Sequence, residues 1–128
     1  MQAKPQKHIL IVDDDQDLRE LMTEVLVSEG YTVSSASDGQ VGLDFLNACR
    51  MAHLPNLIIL DSQMPRLNGA QFIEALASLA RPELKKIPII LSSGMGGDVT
   101  TGGIPPRVTR LQKPFELNEL FQTIEWLS

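Results

Sequence analysis

Short apolar runs alternate along the chain with segments of helical periodicity. Five of the runs predict β-strands, because each is short and is bounded by turn-forming residues. They cover residues 8–12, 32–36, 57–60, 89–91 and 108–112. The first, third and fourth are continuously apolar, which is typical of central strands with helices on both faces.

Between the strands, apolar residues recur at the spacing of an amphipathic helix. One such stripe covers residues 18–26 and is followed by Gly30, a residue that favours a helix C-terminus. Three more cover residues 41–49, 72–79 and 117–127. This alternation predicts an α/β domain with a doubly wound, five-stranded parallel sheet. In such folds the chemistry gathers outside the carboxyl ends of the strands.

Composition and charge narrow the function classes. The chain has 128 residues, is 43% hydrophobic and carries a net charge of −5, which indicates one globular domain. Its largest basic cluster is the pair Lys85–Lys86, so we expect no direct nucleic-acid binding. No apolar run approaches the roughly 20 residues of a membrane span, and no signal peptide is evident. We therefore expect a cytoplasmic protein that does not enter membranes.

The single cysteine, Cys49, excludes an internal disulfide and is consistent with a reducing compartment. Because Cys49 falls in a helical pattern, we interpret it as a small buried apolar residue and not as a nucleophile.

Acidic and hydroxyl side chains follow the predicted strands. The first strand is followed by Asp13 and Asp14, the third by Asp61, the fourth by Ser92 and the fifth by Lys113. If these ends converge, several carboxylates meet a lysine and a hydroxyl. Clustered carboxylates repel one another, and a bound cation offsets that repulsion. An all-oxygen ligand set that leaves coordination positions open for water and a phosphoryl group suits Mg²⁺. Asp15 and Asp17, by contrast, suit the N-terminus of the following helix.

The segments "ILIVDDD", "NLIILDSQMPRLNG", "IPIILSS" and "LQKPF", in this order, resemble the receiver domain of bacterial response regulators. The resemblance extends from about residue 8 to residue 127 and implies the flavodoxin-like strand order 2-1-3-4-5. Within that family the chain resembles the stand-alone, chemotaxis-regulator-like receivers. We therefore expect residues 1–128 to form a single receiver domain, with a core over 8–127 and no output domain.

The resemblance also implies a metal site and its ligands. Asp14 matches the carboxylate that binds the metal ion, together with Asp61 and the backbone carbonyl of Gln63. Asp13 matches the second acidic residue, which often reaches the metal through water. The implied cofactor is Mg²⁺.

The same resemblance implies phosphorylation of the protein. Asp61 matches the phosphoacceptor, Ser92 the hydroxyl that binds the phosphoryl group, and Lys113 the lysine that pairs with it. The donor would be a histidine kinase or a histidine phosphotransfer protein, and the signal would pass to a downstream protein target. On this interpretation the protein catalyses only its own phosphorylation and dephosphorylation, and acts as a monomer or weak dimer.

Two features depart from the family pattern. Arg110 occupies a position three residues before Lys113 where the family usually has an aromatic switch residue, so the readout of phosphorylation is in question. The stretch 94–107 contains five of the nine glycines and two of the eight prolines. In a helix interior each glycine costs about 1 kcal/mol and each proline about 3. The fourth helix of the family is therefore expected to be absent or reduced to a loop.

Three other functions compete with this one. A nucleotide-binding loop in "GMGGDV" is disfavoured, because Val99 stands where the third glycine belongs and no G-K-[ST] follows. A phosphohydrolase with an aspartyl-phosphate intermediate would have an acid two residues after its nucleophile, where this chain has Gln63. A pseudo-receiver that binds partners without phosphorylation stays open as the alternative.

Overall fold

The computed structural model describes residues 7–64, 66–93, 108–112 and 115–127. It contains a five-stranded sheet in the order β2-β1-β3-β4-β5 in which every neighbouring pair is parallel. The strands are β1 (His8–Val12), β2 (Thr32–Ala36), β3 (Leu57–Asp61), β4 (Ile89–Ser93) and β5 (Val108–Gln112). The predicted α/β class and the strand order 2-1-3-4-5 are confirmed. β3 and β4 extend to Asp61 and Ser93, so the first polar residues after their apolar runs still belong to the sheet.

Four α-helices flank the sheet in the described residues. They are α1 (Gln16–Ser28), α2 (Gly39–Ala48), α3 (Gly69–Ser78) and α4 (Leu117–Leu127). Short 3₁₀ helices cover Met51–His53 and Pro82–Lys86. The carboxylate of Asp15 caps α1 by accepting the Leu18 amide at 3.2 Å, as expected for a side chain at this position. Gly30 follows α1 at φ +96°, where a side chain would be strained.

Apolar side chains form one cluster on each face of the sheet. One contains the α2 and α3 residues Leu46, Phe72 and Leu76, and the other contains residues of α1 and α4 such as Leu26 and Leu120. The three central strands β1, β3 and β4 are buried over nearly their whole length. The apolar runs were therefore correctly assigned to central strands.

The apolar helix faces predicted from the sequence included edge positions that the structure leaves exposed or only half-buried. Val41 is 45% exposed in α2 although the periodicity predicts that it faces the core. Cys49 is only half-buried, because it lies at the C-cap of α2 and not within the helix. A stripe drawn from sequence spacing includes flanking positions, and only packing decides which of them are covered.

Some predictions concern parts of the chain outside the described residues. The expected loss of the family's fourth helix over residues 94–107 is one of them, and so is the placement of Lys113. Among the helices that are described, none is both long enough and apolar enough to cross a membrane.

Candidate functional site

Three aspartates meet at the carboxyl ends of β1 and β3. Asp13, Asp14 and Asp61 each bring a carboxylate oxygen within 4.8 Å of those of the other two. Asp13 and Asp61 are 2% and 6% exposed, whereas Asp14 is open to solvent. β1 and β3 are parallel neighbours, so their ends lie at the same edge of the sheet. The structure therefore brings these three carboxylates together at one edge of the sheet.

Hydrogen bonds from neighbouring residues hold Asp13 and its turn in place. Its N–H donates to the carbonyl of Ala36 at the end of β2, at 3.2 Å. Its carboxylate accepts the Asp15 amide at 2.9 Å. Its carbonyl accepts a hydrogen bond of 2.7 Å from Nη1 of Arg19, a half-buried residue of α1. The turn that carries the acidic pair is therefore tied to β2 and to α1.

A close approach of α3 shapes the turn after Asp61. Gly69, the first residue of α3, donates its N–H to the carbonyl of Ser62 at 3.0 Å. A Cβ at Gly69 would lie 2.8 Å from Cδ1 of Leu91, 2.9 Å from Cα of Ser62 and 3.1 Å from the carbonyl oxygen of Asp61. Only glycine fits this contact without displacement of its neighbours. The backbone that carries Asp61 is thus held against α3.

Ser92 brings a buried hydroxyl to the same edge of the sheet. It pairs with Asp61 in the register of β3 and β4 and is 3% exposed. Within the described part of the chain, its Oγ has no hydrogen-bond partner. Leaving a buried hydroxyl unsatisfied costs about 1–3 kcal/mol. An atom of this kind beside a carboxylate cluster is suited to a bound polar group.

The donor set fits a small, hard cation. Carboxylate oxygens are preferred ligands of Mg²⁺, and two oxygens on one ion lie at most about 4.2 Å apart because each bond is about 2.1 Å long. The three carboxylates lie within 4.8 Å of one another, which is close to that spacing. Asp13, Asp14 and Asp61 could therefore hold a metal ion.

The other residues singled out in the sequence differ in burial and in their distance from the acidic cluster. Gln63 follows the cluster, is exposed, and donates its N–H to the Asp61 carboxylate at 3.3 Å. Ser93 is buried on β4, as expected for a packing residue. Arg110 is exposed on β5, in register with Leu91. Lys113 lies outside the described residues, so its role stays a prediction.

The side chains that hold the loops around the acidic cluster were not predicted from the sequence. Arg66, at φ +69°, pairs at 3.0 Å with Asp38, which also caps α2. The pair is 28 residues apart in sequence, so no local pattern indicates it. Asn68 and Gln71 form a capping box at the start of α3. The N-x-x-Q spacing could have predicted that cap.

Comparison with known proteins places the chain among signalling proteins. Residues 9–125 match the response regulator receiver domain. The response regulator Rre1 of Synechocystis is 33% identical over 113 residues, which are 88% of this chain and 47% of that protein. The transcriptional regulatory protein CpxR of Escherichia coli is 34% identical over 91 residues, 71% of this chain and 35% of its own length. The chain thus spans between a third and a half of the length of these relatives.

Solved structures agree on the fold. The chemotaxis response regulator CheY4 of Vibrio cholerae is 25% identical, with a TM-score of 0.78 and coverage of 97% of this chain and 100% of that one. A CheY-like receiver domain protein of Methanospirillum hungatei is 24% identical, with a TM-score of 0.80 and coverage of 94% and 92%. The family match over residues 9–125, together with the strand order and the acidic cluster at the strand ends, shows that the chain belongs to the response regulator receiver domain family.

Proposed function

We propose that this receiver domain accepts a phosphoryl group on Asp61 in a Mg²⁺-dependent reaction and signals by binding another protein. The observation that carries the proposal is the arrangement around Asp61. A buried carboxylate lies beside two further carboxylates and is paired in register with a buried hydroxyl that has no hydrogen-bond partner among the described residues. Residues 1–128 would act as one receiver domain that catalyses only its own phosphorylation and dephosphorylation.

Asp61 would act as the nucleophile. A carboxylate is ordinarily ionised near neutral pH and needs no general base. One of its oxygens attacks phosphorus, a new P–O bond forms, and the P–N bond to the donor histidine breaks with the electron pair on the imidazole. Water later cleaves the acyl phosphate, which releases inorganic phosphate and restores the Asp61 carboxylate.

The surrounding residues would position the groups and balance their charge. Asp14, Asp61 and the backbone carbonyl of Gln63 would hold Mg²⁺, with Asp13 bound directly or through water. When bound, Mg²⁺ offsets the negative charge on the transferring phosphoryl oxygens. The Ser92 hydroxyl would donate a hydrogen bond to one of those oxygens, and Lys113 would pair with another.

The donor and the target follow from this chemistry. Attack at a phosphohistidine requires a histidine kinase or a histidine phosphotransfer protein. The output would be a protein contact, because the net charge of −5 disfavours a nucleic-acid surface on this domain. We expect the isolated domain to be a monomer or a weak dimer.

Intact-mass measurement tests the proposal directly. Wild type and Asp61→Asn are incubated with a small phosphodonor, such as acetyl phosphate, with Mg²⁺ or with excess EDTA. We expect one phosphoryl adduct in wild type with Mg²⁺, and none in the variant or in EDTA. Asp44→Asn is a matched control, because Asp44 is an exposed aspartate on α2 outside the acidic cluster.

The pseudo-receiver alternative predicts a different result. Arg110, exposed on β5, replaces the aromatic residue that the family usually has there, which favours an altered readout. If wild type gains no adduct from small donors or from a panel of histidine kinases, the phosphorylation proposal fails and the pseudo-receiver is the better description. If the adduct forms, Arg110→Tyr tests the readout by comparing amide chemical shifts on β4 and β5 with and without phosphorylation.

A further inference from the structure

Arg19 makes a contact that the proposed transfer chemistry does not use. Its Nη1 donates to the backbone carbonyl of Asp13 at 2.7 Å, across six residues. Its own N–H donates to the carbonyl of Asp15 at 3.0 Å within the first turn of α1. A guanidinium hydrogen bond is charge-assisted and directional. Arg19 therefore contacts the turn between β1 and α1 through both its backbone and its side chain.

The acceptor oxygen of this contact belongs to the peptide that joins Asp13 to Asp14. The orientation of that peptide sets the directions in which the two side chains leave the backbone. Asp13 is further fixed by its N–H bond to Ala36 and its carboxylate bond to Asp15. Asp14 is exposed, and among the described residues no backbone N–H donates to its carboxylate. The peptide orientation therefore sets the direction of the Cα–Cβ bond from which the Asp14 carboxylate reaches the cluster.

We propose that Arg19 is a positioning residue for the metal site, because it fixes the Asp13–Asp14 peptide so that both carboxylates face Asp61. The inference rests on the proposed function, since it assumes that the acidic cluster binds Mg²⁺. Outer residues that orient metal ligands commonly contribute a factor of 10–100 in metal affinity. Arg19 acts on the metal ligands only through a backbone carbonyl. We therefore expect a factor near the lower end of that range, about 10 in metal affinity.

A purely electrostatic role for Arg19 makes the opposite prediction. If the positive charge of Arg19 acted on the acidic cluster, it would disfavour a second cation, so its removal would strengthen Mg²⁺ binding. A positioning role predicts weaker Mg²⁺ binding after removal. The sign of the change in affinity therefore distinguishes the two roles.

The experiment compares Mg²⁺ affinity in wild type, Arg19→Met and Arg19→Lys by titration of amide chemical shifts. We expect the dissociation constant to rise about tenfold in Arg19→Met. In Arg19→Lys the charge and one donor remain, so we expect a rise of less than about threefold, which is partial rescue. With a small phosphodonor, the Mg²⁺ concentration for half-maximal phosphorylation should rise in parallel, while the rate at saturating Mg²⁺ stays within about twofold of wild type.

Arg81→Met is the matched control. Arg81 also donates to backbone carbonyls, those of Leu46, Asn47 and Cys49, but it does so at the end of α2 remote from the acidic turn. We expect this variant to lose thermal stability and to keep the wild-type Mg²⁺ affinity when folded. A second readout needs no metal: amide exchange at Asp14 and Asp15 should speed up in Arg19→Met and not in Arg81→Met.

The outcomes separate the inference from the proposed function. If wild type itself shows no Mg²⁺-dependent shifts at Asp13, Asp14 or Asp61, the proposed function fails. If wild type binds Mg²⁺ and Arg19→Met binds it equally well or more tightly, the positioning role of Arg19 is wrong.

Discussion

Asp61 and Ser92 are direct register partners on the parallel strands β3 and β4. The next residue, Ser62, donates its N–H to the carbonyl of Ser92 at 2.9 Å and continues the pairing past the end of β3. The two polar side chains are thus held by the sheet itself and not by a loop. The pairing of β3 with β4 fixes the register of the two strands. The Ser92 hydroxyl would therefore lie at a constant position relative to a phosphoryl group on Asp61.

Ser92→Ala should separate the function of this hydroxyl from stability. The Oγ has no hydrogen-bond partner among the described residues, so its removal should leave the free energy of unfolding unchanged or raise it by about 1 kcal/mol. The phosphorylation rate should fall about tenfold, which corresponds to one hydrogen bond of about 1.5 kcal/mol to a charged oxygen. Urea unfolding and adduct formation measure the two effects.

Ser93→Ala is the control for that variant. Ser93 is also buried, but successive residues of a strand point to opposite faces, so its side chain faces away from Asp61. Its phosphorylation rate should stay near that of wild type. A loss of stability above about 1 kcal/mol in Ser92→Ala would contradict the view that this hydroxyl is unsatisfied before phosphorylation.

Neutralising Asp14 should stabilise the protein when no metal is present. Its carboxylate lies within 4.8 Å of two others, and like charges at such distances repel by about 1 kcal/mol in a water-like dielectric. Asp14→Asn should therefore raise the melting temperature in EDTA and abolish the further rise that Mg²⁺ gives wild type by mass action. Thermal unfolding with and without Mg²⁺ measures both.

Asp17→Asn should have the opposite effect in EDTA. Asp17 lies in the first turn of α1, outside the acidic cluster. There its charge favours the helix N-terminus by about 0.3–1 kcal/mol, so its neutralisation should lower the melting temperature. If Asp14→Asn also lowered it, repulsion within the cluster would not be the dominant effect.

Gly69→Ala should disturb the site through the backbone. The added Cβ would lie 2.8 Å from Leu91 Cδ1 and 2.9 Å from Ser62 Cα. Overpacking of this kind costs about 1–3 kcal/mol, and relief of the contact would shift the turn that follows Asp61. We expect lower stability together with slower phosphorylation. Gly30→Ala is a control that strains a residue at φ +96° at the opposite end of the sheet, so it should reduce stability alone.

The sequence was sufficient for the parts of the fold that depend on local patterns. Continuous apolar runs ending in acids predicted both the central strands and the place of Asp13 and Asp61, because strand ends converge in a parallel sheet. It was insufficient where a long side chain crosses between elements. Arg81 reaches the carbonyl of Cys49 at 2.7 Å, over 32 residues, and no periodicity indicates such a contact. Arg110 could be singled out from the sequence, because it stands at a position where the resembled family usually has an aromatic residue, and its effect on the readout stays a prediction.

The end of α2 gives a pH-dependent prediction. Burial raises the pKa of the Cys49 thiol above its ordinary value of 9.0, and the nearby charge of Arg81 lowers it by a smaller amount. Cys49 should therefore react with a thiol reagent more slowly than free cysteine between about pH 8 and 10, because its raised pKa leaves less of it as thiolate. Stopped-flow alkylation across this range measures it.

The same shift sets the sign of a contribution to stability. Above pH 9 the unfolded chain loses the Cys49 proton while the folded chain still holds it, so the unfolded state binds fewer protons. The free energy of unfolding must then fall as pH rises through this window. In Cys49→Ala that contribution is absent, so the loss of stability from pH 8 to 10 should be smaller than in wild type. An equal loss in both proteins, or alkylation of wild type as fast as free cysteine, would show that the thiol is not desolvated.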